Sequence, residues 1–244
     1  MGFLWSLQFE YSAFVFLVTL AVAILFSLWA KAISASGAVA GGGIAIGLYL
    51  GSGWLGVVLL GLFFVAGSGA TKWERARKAS LGVAQEAGGQ RTWVNAVSNG
   101  GVAAALSLLG WGSGWEVPLV YPMMTAAIAS ATSDTLSSEL GNLYGRRYWN
   151  IMTWQSGVRG ADGVISWEGT LFGVAGTVLI ALPVGWWTES WKMAIVVALA
   201  GMIGNWSDSL LGATLQNRGW LNNHSVNFWS TLIAAIAASL LYGR

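Results

Sequence analysis

Four short polar segments stand out of an apolar chain, and their side chains are the ones that could do chemistry. Ser133-Asp134-Thr135-Leu136-Ser137-Ser138-Glu139-Leu140-Gly141 is one, and Asn205-Trp206-Ser207-Asp208-Ser209-Leu210-Leu211-Gly212-Ala213-Thr214 is another. Arg91, Asn95 and Asn99 form the third, and Asn223, His224 and Asn227 the fourth. On a helix Asp134 shares a face with Ser137 and Ser138, three and four residues on, while Glu139, five on, points elsewhere unless the helix unwinds. Arg91, Asn95 and Asn99 make one i, i+4, i+8 stripe of a cation and two amides. Carboxylates flanked by hydroxyls, with no cysteine and a single histidine, are hard oxygen donors of the kind that hold magnesium together with substrate phosphates. Asp134, Glu139 and Asp208 are the expected metal ligands. A divalent ion bridging phosphate oxygens, with a basic residue neutralising the rest, is what phosphoryl transfer requires. Asp134, Asp208 and Arg91 are therefore the expected catalytic residues. Asn95, Asn99, Ser133, Ser138, Ser207 and Asn227 are expected to contact phosphate.

The segment Lys72-Trp73-Glu74-Arg75-Ala76-Arg77-Lys78 adds a basic cluster. Lys72, Arg75 and Lys78 are expected to clamp phosphates, the alternative being attraction to an anionic leaflet at about 1 kcal/mol per charge. Any one of these polar residues also has a plainer reading, since Asp and Ser near a helix end often only cap it and an intramembrane Asn can simply bond a neighbouring helix. The convergence of two carboxylates and an arginine stripe is what favours a site. His224 alone reads as a packed or capping residue. No Walker, kinase-loop or dinucleotide fingerprint is present.

The elements that must position these groups follow from composition. The chain has 244 residues, 55% of them hydrophobic and 9% charged, with 34 glycines, 16 tryptophans and no cysteine. A soluble domain carries about 25% charged residues, so this surface is built for lipid. Disulfides and thiol chemistry are excluded, and a net charge of +2 offers nothing to nucleic acid. A bilayer needs roughly 20 apolar residues per spanning helix. Eight such windows appear: 11–30, 36–51, 54–70, 93–111, 118–136, 169–187, 192–211 and 226–241. The expected fold is an all-α polytopic bundle of about eight spans, one integral membrane domain over residues 1–244, with cytoplasmic loops near 71–92 and 141–168. Ten of the 12 basic residues fall on one set of loops, leaving Lys192 and Arg244 on the other. By the positive-inside rule both termini lie outside and all four polar segments meet at the cytoplasmic side, as in a bacterial-type inner membrane. The first window lacks a basic start and a small-residue cleavage site and is expected to be a permanent span. Ser-Asp-Thr-Leu-Ser-Ser at 133–138 lines up with Ser-Asp-Ser-Leu-Leu-Gly at 207–212, which suggests a parallel internal repeat with the site at its interface.

At these residues the sequence resembles the integral membrane family catalogued as domain of unknown function 92, which includes the plant and cyanobacterial phytyl-phosphate kinases of tocopherol synthesis. The likeness runs from about Gly37 to the last span. It is carried by Lys72-Trp73 with Arg77-Lys78, Gly89-Gln90-Arg91 with Asn95 and Asn99-Gly100-Gly101, Ser133-Asp134-Thr135 with Ser138-Glu139-Leu140-Gly141, Asp162-Gly163-Val164-Ile165-Ser166, Ser207-Asp208-Ser209-Leu210-Leu211-Gly212, and Val226-Asn227. The resemblance implies a kinase that converts a prenyl monophosphate, such as phytyl or geranylgeranyl phosphate, to its diphosphate, with CTP favoured as the nucleoside triphosphate. Membrane lipid, prenyl phosphate and nucleotide are the implied partners, with self-association open. Two other functions use the same parts: a CDP-lipid-forming cytidylyltransferase, and an ion-coupled carrier that binds cations at a repeat interface.

Overall fold

The computed structural model describes residues 2–113 and 117–243, so Arg244 lies outside the described residues. It is helical almost throughout: α1 (Gly2–Trp29), α2 (Ala35–Lys72), the short α3 (Arg75–Ser80), α4 (Trp93–Ser113), α5 (Val117–Tyr144), α6 (Trp167–Thr188), α7 (Trp191–Leu211) and α8 (Asn223–Tyr242). Five helices are long and apolar enough to cross a membrane by length and composition. Helices α4 and α5 are not among them, because they carry the Asn, Ser, Asp and Glu side chains singled out above.

The 38 residues of α2 hold two of the expected spans. Gly37 and Gly67 both abut Arg91, whereas in a straight helix they would stand about 45 Å apart. The helix therefore reverses, and it does so at Gly53, whose φ of 60° and ψ of −146° belong to backbone that glycine alone adopts without strain. Lys72 at its end returns to donate to Ala30 O, 2.7 Å away at the end of α1. With the two limbs of α2 counted separately, the eight expected spans each have a helix, though α1 starts nine residues before its window and α5 runs eight past its own.

Helix α5 is the axis of the bundle, touching α2, α4, α6, α7 and α8. Its small residues from Thr125 to Ser133 are almost wholly buried, which lets five neighbours approach one helix closely. Buried hydroxyls are satisfied on the helix itself, Thr125 donating to Tyr121 O and Thr132 to Ile128 O. Gly169, Gly173 and Gly176 of α6 lie against Gly141, Ser137 and Ser133 of α5, with no room for a Cβ at the Gly141–Gly169 crossing. Helix α1 is peripheral: Phe16 stacks on Tyr49 at 4.1 Å, and between residues 11 and 29 most of the other large side chains face outward.

All the long connections gather at one end, the basic end. Residues 73–92 contain α3 and a 3₁₀ turn, Glu86–Gly89. Residues 145–166 contain a two-residue antiparallel pair, β1 (Trp149–Asn150) with β2 (Val164–Ile165), a small departure from an all-α chain. Helix α5 continues to Tyr144, eight residues beyond its expected end, so the whole Ser133–Gly141 segment is regular helix.

Candidate active site

The basic end opens into a cleft of about 730 Å³. Arg91, two residues ahead of α4, and Asn95 and Asn99 within it reach the cleft, as do Asp134, Ser138 and Glu139 from α5, Asp208 from α7, and Asn227 from α8. The two Ser-Asp segments thus share one cavity, and their aspartates lie within electrostatic reach of each other. Neither aspartate has a cationic partner: the ion pairs among the described residues are Arg77–Glu74 and Lys78–Glu139. The Asn227 amide lies between Asn99 Oδ1 (3.3 Å) and Asp208 Oδ2 (3.3 Å), and Ser230 donates to Asn227 O at 2.9 Å. With its nitrogen turned to Asp208, Asn227 also donates to Asn223 O at 2.9 Å.

Arg91 is fixed by its backbone and left open at its tip. Its N–H donates to Ala32 O and its C=O accepts from Ser34, which anchors it beside the start of α2. Its guanidinium sits 5.0 Å over the Phe63 ring and against Gly67 and Thr135. A Cβ on Gly67 would collide with it. No side-chain acceptor among the described residues engages it, and Arg91 lines the cleft with a fork of N–H donors of the kind that suits phosphate. Asn95 accepts at Oδ1 from Thr92 N and Oγ1, which closes the first turn of α4.

Several of the expected site residues are engaged within the protein or stand off the cleft. Lys78 and Glu139 are 1% and 4% exposed and pair with each other at 2.5 Å. Lys78 also donates to Ala70 O, and Thr71 Oγ1 donates to Glu139 Oε1 at 3.0 Å. Both oxygens of Glu139 therefore have partners within the protein, one of them the Lys78 ammonium. The cause is helix phase: five residues beyond Asp134, Glu139 turns toward α2. Lys72 and Arg75 do not line the cleft; the first binds Ala30 O and the second lies beside Gly88. Ser133 is fully buried and accepts from Asn205 Nδ2 at 2.8 Å, which ties α5 to α7 just beneath the aspartates. Ser207 bonds back to Ile203 O and does not line the cleft.

Other groups enter that helix-face reasoning did not select. Arg159 donates to Asn142 O (2.9 Å) and Gly145 O (3.2 Å) and stacks over Tyr148 at 5.1 Å. It thereby pins the Val158–Ser166 loop to the end of α5 as one wall of the cleft. Burial raises the Tyr148 phenol above its ordinary range, against the opposing pull of Arg159, so it stays protonated and donates to Gly141 O and Gly145 O. The same loop rests on the π-helical turn Gly212–Gln216 that follows Asp208: Gly163, at φ 73°, lies so close to Ala213 that no Cβ fits. On the other wall, Val83 meets Gly160. His224 lines the cleft with a buried Nδ1 that has no partner. An apolar groove of about 590 Å³, with Val65, Leu136, Leu140 and Phe172 in its walls, lies across the α2–α5 contact from the polar cleft.

The donor set can be tested against magnesium. Among the described residues no group of three or more His, Asp or Glu forms a complete metal cage. Magnesium usually keeps several waters and takes one or two carboxylates plus substrate phosphates. Two aspartates without counter-ions, across a cleft from an unpaired arginine, fit that mode.

Fold and cleft define a polytopic helical membrane protein with a polar cavity at one end. Residues 17–235 match the integral membrane protein family DUF92, and the chain belongs to it. It is 36% identical over 191 residues to the uncharacterized membrane protein sll0875 of Synechocystis sp., covering 76% of this chain and 73% of that one. It is 32% identical over 213 residues to the chloroplastic protein VTE6 of Arabidopsis thaliana, covering 82% and 64%. An uncharacterized membrane protein of Methanocaldococcus jannaschii is 36% identical over 153 residues, covering 62% and 63%. The chain thus spans somewhat under two thirds of the length of the latter two. No solved structure matches it.

Proposed function

We propose that this protein is a magnesium-dependent membrane kinase that transfers the terminal phosphoryl group of a nucleoside triphosphate, CTP in preference, to a prenyl monophosphate such as phytyl or geranylgeranyl phosphate. The observation that carries the reading is the meeting of Asp134 and Asp208, 74 residues apart in the chain and without cationic partners, opposite the open guanidinium of Arg91. The family's resemblance to phytyl-phosphate kinases supports the acceptor, and the apolar groove, with Gly69 in its wall, supports a lipid tail. Basic residues on the same end of the bundle support a cytoplasmic site.

Asp134 and Asp208 would hold the cation together with the phosphates. The chemistry such a cation would supply is neutralisation of the charge that builds on the transferring phosphoryl group. Arg91 binds oxygens of the triphosphate bidentately, while Asn95, Asn99 and Asn227 orient the acceptor phosphate. An acceptor oxygen forms a bond to the terminal phosphorus as the bond to the β,γ-bridging oxygen breaks, and that electron pair leaves with the nucleoside diphosphate. The acceptor is already an anion, so no strong general base is needed, and alignment with charge neutralisation provides the acceleration. The Val158–Ser166 loop and the strap 82–90 cover the cleft and limit water.

The test is product analysis with purified protein, a panel of prenyl phosphates and labelled triphosphates. Prenyl diphosphate with nucleoside diphosphate is expected. Release of pyrophosphate with a CDP-lipid assigns a cytidylyltransferase instead, and substrate uptake into liposomes without nucleotide turnover assigns a carrier.

A further inference from the structure

We propose that Glu139 is a positioning residue that sets the Arg91 guanidinium at the cleft, with Lys78 locking the carboxylate in place; this rests on the phosphoryl-transfer reading above. The geometry is a ladder of two adjacent rungs on one helix contact. On the first rung the Arg91 guanidinium occupies a slot between Gly67 of α2 and Thr135 of α5. One helical turn further along both helices, Thr71 of α2 and Glu139 of α5 bond to each other. The Glu139 carboxylate cannot swing away, because Oε1 accepts from Thr71 and Oε2 from Lys78. Lys78 cannot swing either: its ammonium also reaches Ala70 O and Thr71 O, so all three of its donors are used at the end of α2.

Arg91 has no such bonds at its tip. What holds the guanidinium is the Phe63 ring, the small Gly67 that leaves room for it, and the field of Glu139, whose charge it senses across one turn. One carboxylate therefore serves two cations, the buried Lys78 and the half-buried Arg91. Lys78 satisfies it by contact and Arg91 only by field, which leaves the Arg91 donors without a side-chain acceptor among the described residues and available to an incoming anion. A direct Arg91–carboxylate bond would have consumed those donors; without Glu139 the uncompensated guanidinium would tend to move out of the slot toward solvent. The strap from α3 to α4 carries both Lys78 and Arg91, so the pair also fixes the strap against α5, which bears Asp134.

The experiment is a double-mutant cycle on the full chain in detergent, read as the affinity for inorganic tripolyphosphate with magnesium, with thermal unfolding followed for every variant. Glu139→Gln is expected to weaken binding about tenfold in the native background and to add nothing in an Arg91→Ala background. Equal losses in both backgrounds overturn the proposal, because Glu139 would then act independently of Arg91. Gly67→Ala provides a second arm that leaves the ion pair intact: its methyl displaces the guanidinium and is expected to weaken binding as Glu139→Gln does, whereas unchanged binding overturns the slot. Lys78→Met/Glu139→Gln removes the buried pair as a unit and is expected to recover folding without recovering affinity; full recovery of both assigns the pair a purely structural role. A native chain that binds tripolyphosphate yet transfers no phosphoryl group contradicts the kinase reading and leaves the cycle to judge the positioning claim on its own.

Discussion

Two residues of the same charge, Asp134 and Glu139, stand five positions apart on one regular helix and meet opposite fates. The first faces a polar cleft without a counter-ion; the second is enclosed by Lys78 and Thr71. Helix phase separates them, and it was readable in the sequence. What was not readable was the partner: that Lys78 would fold inward onto Ala70 O and Glu139 depends on where α2 ends, which no local pattern announces. The difference is measurable. Lys78→Met leaves a buried carboxylate unpaired and is expected to cost about 3–5 kcal/mol of stability by thermal or denaturant unfolding, and a loss below about 1 kcal/mol would contradict the burial. Lys72→Ala, which removes only a contact to Ala30 O outside the cleft, is expected to leave phosphoryl-transfer rate within about twofold, a change too small to mark a transition-state contact.

At the scale of elements, the bundle is held by close approaches that only small residues permit, and its sharpest turn rests on one glycine. Gly53 has open space around its Cα, so Gly53→Ala adds no clash, and the whole penalty is backbone conformation. A loss of about 1–3 kcal/mol is expected on unfolding, and no loss would mean that α2 does not reverse there. The apolar windows on either side of Gly53 announced two spans, while the missing loop between them was hidden because a tight reversal needs almost no polar residues. The Val158–Ser166 loop was less legible still. Its sequence offers glycines and one aspartate, and its role as a wall of the cleft arises from Arg159 reaching back to Asn142 O and Gly145 O. Arg159→Ala is expected to raise KM several-fold with kcat little changed, as loosening of a binding wall requires. An equal fall in kcat and kcat/KM would instead place Arg159 on the transferring group.

For the molecule as a whole, the charge pattern and the gathering of polar residues at one end carry the same message. A costly group inside a bilayer needs a partner or a task, which is why the four polar segments pointed to a common site before any contact was visible. Orientation can be read directly, because a chain without cysteine accepts single-cysteine labels free of background. Ser80→Cys at the basic end is expected to react with an impermeant maleimide only after cells are opened, and Glu189→Cys at the other end in intact cells; the reverse pattern would invert the topology. The central claim is that Asp134 and Asp208 act together on one transferring phosphoryl group. It is tested most directly by transfer of the terminal label from CTP to a prenyl phosphate by folded Asp134→Asn and Asp208→Asn proteins. Each single variant is expected to fall to background with the double no worse, since the two serve one cation, and undiminished transfer in either would contradict the account.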